Sequence, residues 1–212
     1  MKIIFLIAFA FVSIAHLIFL SQKKYNVADY TKGLLMPLLA FYVASLSLPT
    51  IKNIHIIATL FFAWAGDVLL LRKTKLRIGF GALAFFVSNI LWASFHFENF
   101  TQIGIAHYVF LLEIIFLYTI QKRIAKNHKR SAWLFFVYFA SLAFTNSLAF
   151  ANFFHTKNIS AILFLLASIS FITSDALLTH SYLQKQFQRS RCIVMLFYLL
   201  AQFLFTWSVM GK

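Results

Sequence analysis

Apolar stretches follow one another along this chain with only brief polar and basic clusters between them, and about 20 such residues are what an α-helix needs to cross a hydrocarbon layer. Eight runs qualify, at about 3–21, 33–49, 53–71, 78–97, 102–120, 131–151, 158–179 and 192–210. Together they nearly exhaust the 212 residues. No connecting stretch is long enough for a second folding unit, so residues 1–212 are expected to form one domain: an all-α, polytopic membrane bundle of eight transmembrane helices. The first run has the outline of a signal peptide, but its apolar character continues past Ser13-Ile14-Ala15 to Leu20, and it is read as a retained span.

The polar exceptions inside these runs recur at helical spacing. Ser168, Asp175 and Thr179 share one face, as do Tyr198, Gln202 and Thr206, and Tyr138, Ser141, Thr145 and Asn152. Such stripes imply a shared polar interior. Of the five acidic residues, Asp67, Glu113 and Asp175 lie within apolar runs, while Asp29 and Glu98 fall in predicted loops. A charged side chain at the bilayer centre costs roughly 2.5–3.5 kcal/mol on insertion scales, and such groups face a bundle interior or a wet cavity where they do chemistry or move ions. No intramembrane Lys or Arg is expected to pair with Asp67 or Asp175.

The two aspartates sit in matching cassettes, Trp64-Ala65-Gly66-Asp67-Val68-Leu69-Leu70 and Ile172-Thr173-Ser174-Asp175-Ala176-Leu177-Leu178, which are 108 residues or four predicted helices apart. This suggests a four-plus-four internal repeat with parallel halves. Each aspartate precedes a basic or titratable residue, Arg72 or His180, by five positions, which places the two at a similar depth. In the helices that follow, Asn89 lies 12 residues past Arg77 and Gln202 lies 11 past Arg191, so an amide matches an amide.

Composition agrees with a lipid-embedded chain: 62% of residues are hydrophobic, 28 are Phe, 11% are charged, and the mean hydropathy is +0.84. A net charge of +14 would point to nucleic acid in a soluble protein. Here the charges sort by side instead. Lys23, Lys24, Lys32, Arg72, Lys73, Lys75, Arg77, Lys122, Arg123, Lys126, Lys129, Arg130, Lys185, Arg189 and Arg191 follow odd-numbered runs, against Lys2, Lys52, Lys157 and Lys212 elsewhere. The positive-inside rule then makes the basic loops cytoplasmic, leaves both termini outside, and gives those loops membrane lipids rather than nucleic acid as partners. Cys192 is the single cysteine and cannot form an internal disulfide. His55, His96, His107 and His155 lack metal-ligand spacing, and no phosphate-binding or dinucleotide loop occurs, so neither metal nor cofactor is expected.

Four stretches in order, Thr31-Lys32-Gly33-Leu34-Leu35-Met36-Pro37-Leu38-Leu39, Ala65-Gly66-Asp67-Val68-Leu69-Leu70, Ser174-Asp175-Ala176-Leu177-Leu178 and Tyr198-Leu199-Leu200-Ala201-Gln202, resemble the motifs of the YhhN-type lysoplasmalogenase family. That resemblance implies a multi-pass membrane hydrolase, in a bacterial cytoplasmic membrane, that cleaves the vinyl ether of lysoplasmalogens to a fatty aldehyde and a glycerophospho-base. It also implies that Asp67 and Asp175 are the catalytic pair. The chain departs from the family at Gly33, where Pro is common, and at Asn89 and Trp92, where a His and a Tyr are common.

The chemistry suits two carboxyls. A vinyl ether resists nucleophiles, but protonation of its β-carbon gives an oxocarbenium ion that water captures, and the resulting hemiacetal collapses to aldehyde and alcohol. Glycosidases handle a related cation with one protonated and one ionised carboxyl, a division that burial and mutual repulsion produce in a close pair. One aspartate would donate the proton and the other would steady the cation or activate water. Asn89, Gln202 and Tyr198 are candidates to orient water or a glycerol hydroxyl, and Lys32 at the cavity mouth is a candidate phosphate ligand. The alternative is a proton-coupled transporter using the same acids as relay groups.

Overall fold

The computed structural model describes residues 2–72, 74–97, 104–183 and 187–210. Among these residues there are seven helices: α1 (Lys2–Ser21), α2 (Tyr25–Ala44), α3 (Thr50–Leu70), α4 (Lys75–Phe97), α5 (Gly104–Thr156), α6 (Ile159–Leu183) and α7 (Phe187–Met210). Six segments are long and apolar enough to span a membrane: Lys2–Ser21, Thr50–Leu70, Leu76–Phe97, Phe136–Thr156, Ile159–Ser181 and Ser190–Met210. A multi-pass helical membrane bundle follows directly.

The fifth and sixth runs form a single helical stretch, α5, of 53 residues. It contains neither Gly nor Pro after Gly104, so no helix-breaking residue type marks a boundary between the two runs. It is not a straight rod. The Asn146 side-chain amide donates to the Glu113 carboxylate at 2.5 Å across 33 positions, which a straight helix would hold about 50 Å apart at 1.5 Å per residue. The chain therefore reverses between these residues, giving two arms side by side, the first carrying the shorter apolar stretch His107–Thr119.

The second run differs from its predicted bounds. α2 begins at Tyr25 rather than near residue 33, so Asp29 and Lys32 are helical residues and not loop residues. The turn is made earlier, at Gln22-Lys23-Lys24, with Lys23 in the left-handed conformation (φ 59°) that commonly ends a helix. Pro49 then sets the start of α3, and Asn158 caps α6 by accepting from the Ala161 N–H at 2.8 Å. Glu98, Lys73 and Lys185 lie outside the described residues, as do the side chains of Lys75, Lys122, Arg123, Lys126, Lys129, Arg130 and Arg189.

Helices adjacent in sequence pack side by side, and α7 returns to α1, where Phe9 stacks on Phe203. Lipid offers no hydrophobic drive for this association, so small residues and interhelical hydrogen bonds hold the bundle. Ser88 bonds the Thr59 carbonyl, Asn152 the His96 carbonyl, Ser160 the Ser208 carbonyl, and Ser168 the Asn146 side chain. Large apolar residues at helical spacing, Ile3, Ile7, Phe11 and Ile14 on α1, face outward. The first residues of α1 and the last of α7 lie at the end opposite the cavity described next.

Candidate active site

One contact pair sets α2 against α3. Pro37 has no N–H and deprives the Gly33 carbonyl of its helical donor. The Trp64 indole N–H on α3 takes that place at 2.9 Å. One turn further along α3 is Asp67, and next to Gly33 on α2 is Lys32, so the same register brings the Lys32 ammonium to Asp67 Oδ1 at 3.0 Å. The expectation that no basic residue could reach Asp67 is thereby corrected. Lys32, the candidate phosphate ligand, is held by a buried carboxylate, because α2 starts early enough to carry it inward.

Asp67 is 2% exposed, and its Oδ2 accepts from the Tyr198 hydroxyl of α7 at 2.6 Å. Asp175, on α6, is also buried and accepts from the Tyr138 hydroxyl of the second arm of α5. Both aspartates line one cavity of about 290 Å³, close enough to feel each other's charge. Its other walls are mainly apolar, including Leu70, Ile78, Phe85, Leu178 and Val194. The contributing segments are the last turns of α1, α3 and α6, the first turns of α2, α4 and α7, and Tyr138 and Phe139 of α5.

Below the carboxyls Phe85, Phe171 and Tyr198 form a triangle of rings with centroids 5.9–6.4 Å apart. Gly66 permits this, since a Cβ there would stand 2.7 Å from the Phe85 ring. The triangle explains where two of the candidate residues lie. Asn89 and Gln202 lie one helical turn beyond Phe85 and Tyr198 and do not line the cavity. The Asn89 side chain interacts with Tyr138 while its carbonyl accepts from Thr145, and Gln202 accepts from the Trp92 indole at 3.4 Å. Lys32 and Tyr198 do reach the cavity. Sequence reasoning overlooked Tyr138, His16, Asp29 and Arg191 as lining residues; Tyr138 stood in a polar stripe, but nothing in the stripe told which helix it faced.

Residues 27–209 match the YhhN family. The chain belongs to that family. No curated protein and no solved structure matches it. The YhhN match runs from α2 to α7 and so contains both aspartates, both tyrosines and Lys32, whereas α1 with His16 precedes it. Among the described residues of this YhhN chain no three His, Cys, Asp or Glu side chains gather to hold a metal ion. Glu113 stands apart from the cavity, with its partner Asn146 bonded in turn to Ser168, and this chain of contacts fastens the first arm of α5 to α6.

Proposed function

We propose that this YhhN protein is a membrane hydrolase that cleaves the vinyl ether of a lysoplasmalogen, releasing a fatty aldehyde and a glycerophospho-base. The observation that carries the proposal is the meeting of two buried carboxyls in one apolar-walled cavity. Their surroundings divide the work. Asp67 accepts from an ammonium and a phenol, a donor set that matches an ionised carboxylate. Asp175 takes one hydrogen bond among the described residues, from Tyr138, and leaves its second oxygen for a proton.

Asp175 gives that proton to the β-carbon, and the oxocarbenium ion forms beside the Asp67 carboxylate. Water adds to the cationic carbon and returns a proton to Asp175. The hemiacetal then breaks its bond to the glycerol oxygen, yielding aldehyde and alcohol. Each half supplies its aspartate's partner from the preceding helix, Lys32 to Asp67 and Tyr138 to Asp175, which supports the four-plus-four repeat. The basic turns flank the cavity's end, so we place that end in the cytoplasm and both termini outside.

The test is aldehyde release by purified protein given alkenyl, alkyl and acyl lysolipids. Release from the alkenyl compound, lost in Asp67→Asn and Asp175→Asn, is the expected result. No aldehyde from the wild type, or undiminished rates in both variants, refutes the assignment.

A further inference from the structure

The cavity is too small for all of a lysolipid. A cavity of ~150 Å³ holds one benzene ring, so about 290 Å³ takes the glycerol, the double bond and a few methylenes, but no fatty chain. The remainder of the chain must leave it, and the wall is uneven. On the side of α1 and α7 it is closed, since His16, Leu20, Val194 and Met195 are all buried. On the side of α4, α5 and α6 the lining residues Ile78, Ala82, Phe139 and Leu178 are only partly buried. Leu83, next to Ala82, and Val137, close to Phe139, are exposed and apolar, so hydrocarbon borders this side. Both rims stand level with the carboxyls. A Cβ on Gly81 would lie 3.4 Å from the Gly66 carbonyl oxygen, which sets Ala82 of α4 beside Asp67 of α3. Phe139 directly follows Tyr138, the donor to Asp175.

We propose that the hydrocarbon chain of the lysolipid leaves the cavity sideways, between Ala82 of α4 and Phe139 of α5, and lies in the bilayer, with Ala82 setting the width of the passage. The inference rests on the hydrolase reading and gives its substrate a route. A methylene drawn out through the polar mouth, where Asp29 is exposed, loses its hydrophobic stabilisation, whereas one that stays among lipid tails loses none. The double bond is the first part of the chain, so a side opening level with the two carboxyls lets it react while the rest never leaves the membrane. The products then part. The fatty aldehyde slides back into the bilayer through the passage, and the glycerophospho-base leaves for water past Asp29.

Photolabelling reads the route without turnover. A saturated 1-alkyl lysolipid carrying a diazirine a few carbons beyond its ether oxygen is bound to the purified protein in phosphatidylcholine nanodiscs and irradiated, and the labelled peptides are identified. Label on the segments holding Ala82 and Phe139, displaced by unlabelled 1-alkyl lysolipid, is the expected result. Label on α1 and α7 around Leu20 and Met195, or label that the unlabelled lipid does not displace, overturns the proposal. Rates give a second readout. In Ala82→Trp, aldehyde release from an alkenyl lysolipid with a sixteen-carbon chain falls at least ~10-fold, the scale of a mismatch of one methylene, while a four-carbon chain stays within about twofold. Ala82→Leu shows the same pattern with a smaller loss should the Trp variant not fold, and Leu196→Trp, on the exposed face of α7, leaves both rates unchanged. Equal losses for the two chain lengths overturn the passage. Displaceable label at Ala82 and Phe139 without aldehyde from any alkenyl lysolipid overturns the hydrolase reading instead, and aldehyde release with label on α1 and α7 overturns the route alone.

Discussion

Replacing Lys32 with Met tests the arrangement where its electrostatics are most exposed. The change keeps most of the side chain's bulk and removes the ammonium, leaving the Asp67 carboxylate 2% exposed with Tyr198 as its remaining hydrogen-bond donor. Removing one partner of a buried ion pair costs about 3–5 kcal/mol, because the other charge remains out of water. The Lys32 side chain is 18% exposed, so water screens part of the interaction and the lower end of that range applies. Activity falls as well: loss of a preorganised charge beside a developing ion costs on the order of 10²–10³ in kcat. The double variant Lys32→Met/Asp67→Asn removes both charges, and most of the lost stability should return while activity stays absent. Reversible unfolding in mixed micelles gives the stabilities, and aldehyde release gives the rates. If Lys32→Met is as stable as the wild type, or if the two substitutions add without coupling, the buried pair does not have the energetic role assigned to it.

Asp175→Asn should keep its fold, since Tyr138 can donate to the amide oxygen, while aldehyde release falls by about 10²–10⁴, the usual contribution of a positioned acid. Tyr138→Phe removes one hydrogen bond from the acid, and a roughly tenfold slower rate is expected, at about 1.4 kcal/mol per decade. Gly66→Ala drives a methyl against the Phe85 ring; overpacking of this kind costs about 1–3 kcal/mol, and the displaced ring narrows the cavity, so thermal stability falls and KM rises. Gln202→Met lies beyond the aromatic floor, and its kcat/KM should stay within about twofold of wild type, with a stability loss of about 1–3 kcal/mol from the unpaired Trp92 indole.

Much of this could be read along the chain, because a bilayer imposes rules that act on local sequence. An apolar run long enough to cross hydrocarbon becomes a helix wherever it stands, and an aspartate within such a run must face the interior. The membrane class, the helical architecture and the burial of Asp67 and Asp175 follow from those rules, as does the polar stripe that holds Tyr138. The bounds of α2 did not follow. Polarity at Asp29 and Lys32 reads as loop, but a helix tolerates both when the turn is made earlier by Lys23 in a left-handed conformation. The reversal within α5 was legible as the basic break between the fifth and sixth runs, and the Glu113–Asn146 contact agrees with it.

What local rules cannot supply is partnership between helices far apart in sequence. Spacing along one helix orders its own faces, but the rotation of each helix about its axis is set by close packing against its neighbours. Lys32 meets Asp67 because Pro37 frees a carbonyl that Trp64 then binds. Tyr198 reaches Asp67 across 131 positions, while Gln202, one turn away on the same stripe, falls below the aromatic floor and meets Trp92. The sequence by itself determined that two carboxyls would be buried in a helical membrane bundle. Only the tertiary structure decided that they share a cavity, which donors hold each of them, and which of the nearby polar groups line it.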